Sequence, residues 1–236
     1  MKKYKFADLV ISMEGVNEPL KSQLVKYEYQ GKEEVDINIP SLDNVIEKYH
    51  SLYPHLTLGE CEYMIKGAYF YKELLKFDGI LLHSSCVVKD GNAYLFSAPS
   101  GTGKSTHTSL WLKVFKDAKI LNDDKPALIV RNNKLYACGT PFSGKNDLSL
   151  NEIYPIQGIA FLERSKDNWI KRMDDKKAIF SIFNQTIRPG YENEMDDMIK
   201  VVEHIVSLCP IYQLGCNIEL DAVYTSYNCM RPKDEN

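Results

Sequence analysis

The segment that most constrains the fold is a glycine-rich stretch, Ser97-Ala98-Pro99-Ser100-Gly101-Thr102-Gly103-Lys104-Ser105-Thr106. It lies between an apolar run, Ala93 to Ser97, and residues 105–115, which have helical character. Glycines in a short turn after a strand let backbone N–H groups converge, and the start of a helix adds further unpaired N–H groups. The sequence therefore predicts an anion-binding turn between a strand and a helix.

A lysine and a hydroxyl complete the groups that a nucleotide phosphate needs. Lys104 would reach the β- and γ-phosphates, and the hydroxyl of Ser105 would hold Mg²⁺. The usual pattern is G-x-x-x-x-G-K-[ST], and Ala98 replaces its first glycine, which is acceptable if φ at Ala98 is negative. The predicted nucleotide-binding residues are Ala98, Pro99, Ser100, Gly101, Thr102, Gly103, Lys104, Ser105 and Thr106.

A β-hairpin is predicted directly before this loop. The apolar runs Ile80 to Val88 and Ala93 to Ser97 flank Asp90-Gly91, a dipeptide typical of two-residue hairpin turns. Continuing the pairing from that turn places His83 opposite Ala98. His83 could contact a metal, a phosphate or an acceptor, and the alternative is a histidine satisfied within an apolar strand.

Two consecutive carboxylates follow the next predicted strand. A helix over residues 105–115 leads about 16 Å away from the loop. A strand over residues 118–122 leads about the same distance back. Asp123 and Asp124 should therefore lie beside the phosphates, where one can hold Mg²⁺ and the other can orient or deprotonate an acceptor hydroxyl. The alternative is an acidic turn after a strand.

The whole pattern predicts a mixed α/β sheet flanked by helices. We divide the chain into a β-rich N-terminal segment, residues 1–57, packed on a nucleotide-binding domain, residues 58–236. The predicted strands are 4–12, 24–29, 35–39, 80–88, 93–97, 118–121, 127–130, 134–137, 156–162 and 211–214. The predicted helices are 41–49, 60–76, 105–115, 174–184 and 192–208, with loops marked by Pro54, Gly59 and Gly139.

Charge and composition exclude several classes of protein. A net charge of −3 and a pI near 6.0 give no global attraction to nucleic acid. No apolar run approaches the roughly 20 residues of a membrane span, and Lys2-Lys3 is too short a start for a signal peptide. The 6 cysteines lack metal-ligand spacing and are expected to be reduced thiols. We expect a cytoplasmic protein that binds neither nucleic acid nor a membrane.

Several motifs together resemble a known family. Leu82-His83-Ser84-Ser85, a turn and a strand, Ser-Gly-Thr-Gly-Lys-Ser and Asn-Asp-Asp resemble HPr kinase/phosphorylase over residues 78–145. The phosphate loop is also similar to that of ATP-dependent phosphoenolpyruvate carboxykinase. The resemblance implies the P-loop core that the carboxykinases share with the C-terminal domain of HPr kinase. It implies Asp123 as the base on a serine hydroxyl, and His83 and Asp124 as candidate metal ligands.

The combined prediction is an ATP-dependent kinase that phosphorylates a serine hydroxyl of a protein or peptide. Asp123, Lys104 and His83 are the predicted catalytic residues, and Ser105 and Asp124 the predicted ligands of Mg²⁺, with Mn²⁺ as an alternative. A small-molecule kinase of the same fold and a catalytically silent nucleotide-binding module remain alternatives. A carboxykinase reaction is not expected, because no oxaloacetate site is recognisable. The choice between ATP and GTP as the nucleotide stays open. The resemblance is compatible with a homo-oligomer.

Four further features carry weaker hypotheses. The loop Gly139 to Lys145 could position an acceptor or clamp a phosphate, or be a surface turn. Arg164 and Arg188 could stabilise transition-state charge, although most arginines are solvated. His107, in the first turn after Lys104, is expected to serve helix packing rather than chemistry.

Overall fold

The computed structural model describes residues 1–188 and 192–232, with the backbone alone at 192 and 193. Residues 189–191 and 233–236 of the second predicted unit lie outside the described residues. The strands are β1 (Lys2–Phe6), β2 (Leu9–Met13), β3 (Ile37–Asn38), β4 (Gly79–Leu81), β5 (Ser84–Lys89), β6 (Asn92–Ser97), β7 (Lys119–Asn122), β8 (Ala127–Arg131), β9 (Lys134–Cys138), β10 (Ile153–Arg164), β11 (Trp169–Arg172) and β12 (Ile211–Cys216). The helices are α1 (Leu20–Gln23), α2 (Asp43–Leu52), α3 (Leu58–Leu74), α4 (Lys104–Val114), α5 (Asp175–Asn184), α6 (Glu192–Leu208) and α7 (Asp221–Met230).

The prediction of a mixed α/β architecture is confirmed. A three-stranded sheet has the order β1-β2-β3, and a larger mixed sheet has the order β4-β8-β9-β10-β6-β5-β7. In the larger sheet β12 also pairs with β10, and β11 pairs with β12. Among the described residues, no helix is long and apolar enough to cross a membrane.

The N-terminal segment differs from its prediction. Residues 24–29, predicted as a strand, contain a 3₁₀ turn at Val25–Tyr27 directly after α1. Leu20, Leu24 and Tyr27 are buried at helical spacing, so this segment packs one helical face onto the small sheet. The prediction of a strand over residues 24–29 is therefore wrong.

Helix α3 connects the small sheet to the large one. Phe70 on α3 lies between Phe6 of β1, with ring centroids 4.9 Å apart, and Phe142, with centroids 6.0 Å apart. The same apolar cluster includes Leu81 of β4 and Ile129 of β8. The first ring pair is tilted and the second is stacked, and such contacts hold the packed elements together.

The prediction of a loop at Gly59 is wrong, because α3 begins at Leu58 and its start is fixed by a reciprocal cap. Thr57 Oγ1 accepts a hydrogen bond from the backbone N–H of Glu60 (3.2 Å), and the Glu60 carboxylate accepts one from the N–H of Thr57 (2.9 Å). Thr-x-x-Glu before a helix is the signature of this arrangement.

We expect Thr57→Ala to lower the free energy of unfolding by about 1 kcal/mol, because an orphan N–H at the helix start loses its acceptor. Chemical denaturation of both proteins measures this difference. Thr225→Ala is the control, because Thr225 lies inside α7 and only donates back to Asp221 O. An equal loss in both variants would show that the cap is not the cause.

The topology gathers several chain segments at one edge of the large sheet. Strands β6, β10 and β12 are parallel neighbours, so their carboxyl ends share that edge. Strand β5 is antiparallel to both β6 and β7, so β7 also ends there and β5 begins there. Ligands of open α/β sheets bind at such carboxyl ends. The segments that follow β6, β7, β10 and β12 therefore meet at one place.

The predicted hairpin register is confirmed from Lys89↔Asn92 to Ser84↔Ser97, with φ of 50° at Asp90 and 72° at Gly91. The prediction of one strand over 80–88 is wrong, because β4 pairs with β8 whereas β5 pairs with β6 and β7. The chain leaves one strand pair for the other at His83. There the backbone N–H of His83 donates to Gln185 O (2.8 Å) instead of a neighbouring strand.

Candidate active site

The glycine-rich loop has the backbone shape that its sequence requires. Gly101 (φ 76°) and Gly103 (φ 125°) adopt positive angles that other residues rarely take, whereas Ala98 has no positive φ. A Cβ atom on either glycine would meet no heavy atom within 4 Å, so the space above the loop is open. Helix α4 begins at Lys104 without a side-chain cap, which leaves its first N–H groups available to a bound anion.

Lys104 turns back over the loop. Its Nζ donates to Ala98 O (2.9 Å), and the residue is only 8% exposed. Burial lowers the pKa of Lys104, while the charges of Asp124 and then Asp123 act in the opposite direction. The structure thus brings the predicted lysine and both predicted carboxylates into one electrostatic cluster.

Asp123 is linked to α4 by two hydrogen bonds. Its Oδ1 accepts from Ser85 Oγ (2.6 Å), and Ser85 Oγ lies 2.8 Å from Thr108 Oγ1. Because Ser85 gives its single proton to the carboxylate, Thr108 is the donor to Ser85. Within the described residues, Oδ2 of Asp123 accepts no hydrogen bond, so one oxygen is held and the other can receive a proton.

Asp124 lies between a histidine and a lysine. His83 Nε2 is 3.3 Å from Oδ1, and Lys125 Nζ contacts Oδ2. Burial opposes ionisation of Asp124, but the hydrogen bond with His83 and the charge of Lys125 outweigh it, so the pKa of Asp124 lies below its ordinary value. The contact with His83 therefore favours the ionised form of Asp124.

The turn that carries both aspartates is fixed by Asn122. Its Oδ1 accepts from the backbone N–H groups of Asp124 (3.0 Å) and Lys125 (2.7 Å), while its Nδ2 donates to Thr140 O (3.1 Å). Asn122 is fully buried. Asn122 is the last residue of β7, and asparagine commonly forms such turns through its side chain, so the sequence contains a signal for this role.

The loop from Gly139 to Lys145 packs on Asp124. A Cβ at Gly144, whose φ is 74°, would lie 3.1 Å from Asp124 Cβ. Gly144 is held from two sides, because its N–H donates to Tyr63 Oη (3.1 Å) and its carbonyl accepts from Gln23 Nε2 (2.9 Å). The N-terminal segment and α3 thereby fix a wall of the site.

The structure separates the two candidate arginines. Arg164 is the last residue of β10, and its Nη2 donates to Gly101 O (2.8 Å) in the glycine-rich loop. Arg188 lies over the ring of Phe183, 5.7 Å from its centroid, and lines a different groove together with Leu42. The described contacts therefore place Arg164, and not Arg188, at the loop.

A groove of about 430 Å³ adjoins the loop on the side of Arg164. Its size suits a nucleoside, and its mixture of apolar and polar groups is typical of small-molecule sites. The residues that line it beside the loop include Thr106, Leu162, Arg164, Cys216, Asn217 and Ile218.

The donor set fits magnesium held jointly with a ligand. No group of three or more His, Cys, Asp or Glu side chains within residues 1–188 and 192–232 forms a protein-only metal site. Mg²⁺ usually binds one or two protein oxygens together with substrate phosphates and water. The exposed Ser105 and the ionised Asp124 can supply those protein oxygens.

Comparisons with known proteins show a distant structural likeness. No known protein family matches the chain, and no curated protein matches it. Among solved structures, the chain is similar to the Hpr(Ser) kinase/phosphatase from Coxiella burnetii, with 14% identity, 54% of this chain and 96% of that chain covered, and a TM-score of 0.31. A likeness at this level identifies neither the family nor the reaction. The evidence for a reaction therefore lies in the residues of the site.

His107 lies behind the loop in the interior. It is 2% exposed, its Nε2 accepts from Trp111 Nε1 (3.2 Å), and its ring centroid is 4.4 Å from that of Phe96. Burial lowers its pKa from 6.5 to about 4, so the imidazole is neutral in the folded protein. The packing role that the sequence favoured agrees with these contacts.

This burial predicts a pH dependence of stability. The unfolded chain takes up a proton at His107 near its ordinary pKa, and the folded chain resists protonation until about pH 4. The stabilisation that comes from the neutral His107 is therefore fully present above pH 6.5, and it is lost as the pH falls towards about 4. We expect a loss of about 2 kcal/mol between pH 7 and pH 5 from this group. Urea unfolding of wild type and His107→Gln at both pH values measures it, and an equal pH dependence in both proteins would contradict it.

Proposed function

We propose that this protein is a Mg-ATP-dependent kinase whose glycine-rich loop is a phosphate loop. The observation that carries the proposal is the position of Lys104. Its ammonium lies over the start of the loop, next to the open N-terminus of α4 and within the electrostatic reach of Asp123 and Asp124. A loop lysine, a helix N-terminus and a carboxylate pair are the groups that phosphoryl transfer from a nucleotide uses.

Each group then has one role. Backbone N–H groups of Gly101, Gly103, Lys104 and Ser105 hold the phosphates, and the Lys104 ammonium binds the β- and γ-phosphates. Ser105 and Asp124 would hold Mg²⁺, which neutralises charge that develops on the phosphates. The groove beside Arg164 takes the nucleoside, and the two hydrogen bonds from Arg164 to the loop keep the loop in shape.

Asp123 acts as the base. Its free Oδ2 takes the proton of the acceptor hydroxyl while the acceptor oxygen bonds to the γ-phosphorus and the bond to the ADP oxygen breaks. Ser85 keeps the other carboxylate oxygen in place, so the base does not need to reorient during the reaction. His83 is a positioning residue in this proposal, because its contact is with Asp124.

The acceptor we propose is a serine hydroxyl of a cytoplasmic protein or peptide. This choice rests on the resemblance of the loop and aspartate motifs to HPr kinase. We also retain the division into residues 1–57 and 58–236 as a proposal, in which the first unit holds the Gly144 loop against the site through Gln23.

The test is transfer of label from [γ-³²P]ATP to a library of serine peptides, with Mg²⁺ and with EDTA. We expect Mg²⁺-dependent labelling of serine in a subset of peptides. Labelling of metabolites alone would identify a small-molecule kinase. Tight ATP binding without any transfer would favour a silent nucleotide-binding module, and both outcomes contradict a serine kinase.

A further inference from the structure

Lys125, which sequence analysis did not single out, has an unusually well-fixed backbone. Its N–H donates to Asn122 Oδ1 (2.7 Å), and its carbonyl accepts from Tyr71 Oη (2.5 Å) and Thr140 Oγ1 (2.8 Å). All three partner side chains are buried. Three buried side chains thus fix the main chain of one lysine in the turn that carries the aspartates.

Its side chain is directed to the site as well. The ammonium contacts Asp124 Oδ2 and lies 5.1 Å from the ring centroid of Tyr63, within cation–π distance. The side chain is 30% exposed, so it is neither a solvated surface lysine nor sealed in the core. The phenol of Tyr63 is itself fixed by the N–H of Gly144.

The charges around Lys125 balance before any ligand is bound. Lys104 and Lys125 offset Asp123 and Asp124, and the charge of Lys125 acts on Lys104 across the cluster. Mg-ATP carries a net negative charge, and a metal held by Asp124 would compete with Lys125 for that carboxylate. With that carboxylate on a metal, the ammonium of Lys125 would need another anion, and the terminal phosphate of the nucleotide would be the nearest one supplied with the metal.

We propose that Lys125 is a second phosphate-binding lysine, paired with Asp124 in the free protein and transferred to the terminal phosphate of a nucleoside triphosphate when Mg-ATP binds. This inference rests on the proposed function and adds a specificity to it. Lys104 binds the β- and γ-phosphates, whereas Lys125 binds only the γ-phosphate. The exchange of partners makes binding selective for the triphosphate over the diphosphate. The flexible four-carbon stem of lysine permits the exchange while the backbone stays fixed.

The test is the binding of a non-hydrolysable ATP analogue and of ADP, each with Mg²⁺, to wild type and Lys125→Met. We expect the affinity for the ATP analogue to fall about 10- to 100-fold, the usual cost of a charged hydrogen bond, with the affinity for ADP unchanged. The control is Lys200→Met, which removes a lysine from the exposed pair with Asp197 on α6 and should change neither affinity. Lys125→Gln repeats the comparison if Lys125→Met does not fold.

The outcomes are distinct. An equal loss for both nucleotides would show that Lys125 only maintains the site, and no loss would show that it stays with Asp124; either result overturns the inference. Absence of nucleotide binding by the wild type would instead overturn the proposed function itself.

Discussion

Replacing Asp123 with asparagine is expected to lower the rate of phosphoryl transfer about 1,000-fold while ATP still binds. The asparagine side chain has the same size, and its amide oxygen can still accept the hydrogen bond from Ser85. It cannot take the proton of an acceptor hydroxyl, so only the chemical step is affected. The initial rate of transfer to a labelled peptide at saturating ATP measures the effect.

The matched control is Asp117→Asn, because Asp117 is an exposed carboxylate paired with Lys89 away from the loop. This variant should retain the wild-type rate. Transfer by Asp123→Asn at the wild-type rate would show that Asp123 is not the base, even if the nucleotide binds as proposed. A parallel loss of ATP affinity would indicate that Asp123 serves binding and not proton transfer.

Lys104→Met is expected to weaken ATP binding without weakening the fold. Two charged contacts with phosphates are lost, which corresponds to roughly 100- to 10,000-fold in affinity. In the free protein, burial works against the Lys104 charge, and the ammonium has one hydrogen bond, to Ala98 O. A methionine fills the same space without a buried charge, so the melting temperature should stay the same or rise.

Competition against a fluorescent nucleotide gives the affinity, and thermal unfolding gives the stability. Lys113→Met on the same helix is the control, because Lys113 is exposed in the last turn of α4. It should bind ATP as the wild type does. ATP binding by Lys104→Met at the wild-type level would contradict the phosphate-loop assignment, whereas unfolding of this variant would show that the lysine is structural.

Local sequence signals predicted the elements around the loop because short-range geometry sets them. The register of β5 and β6 follows from the two turn residues Asp90 and Gly91. The break between β4 and β5 has no such signal, since Leu82, His83 and Ser84 contain neither a glycine nor a proline that would mark a turn. It depends on Gln185, about 100 residues later in the chain, which accepts the His83 N–H. Helices α1 and α7 and strand β11 were not predicted at all.

The residues of the candidate site also divide into those with a local sequence signal and those whose role depends on distant parts of the chain. Lys104, Asp123 and Asp124 stand in a recognisable pattern with a strand and a helix between them. Ser85, Tyr63 and Lys125 are ordinary residues in their local sequence, and their importance comes from partners that the fold brings to them. Arg164 was a candidate among other arginines, and only the parallel pairing of β6 with β10 explains why it meets the loop.

The central claim, that residues 98–106 bind the phosphates of Mg-ATP, is tested most directly by calorimetric titration of the wild-type protein with ATP in the presence and absence of Mg²⁺. We predict saturable binding at one site per chain, strengthened by Mg²⁺ and absent with AMP, which lacks the phosphates that the loop and Lys104 hold. No heat of binding for ATP under either condition, or equal affinity for AMP and ATP, would contradict the account.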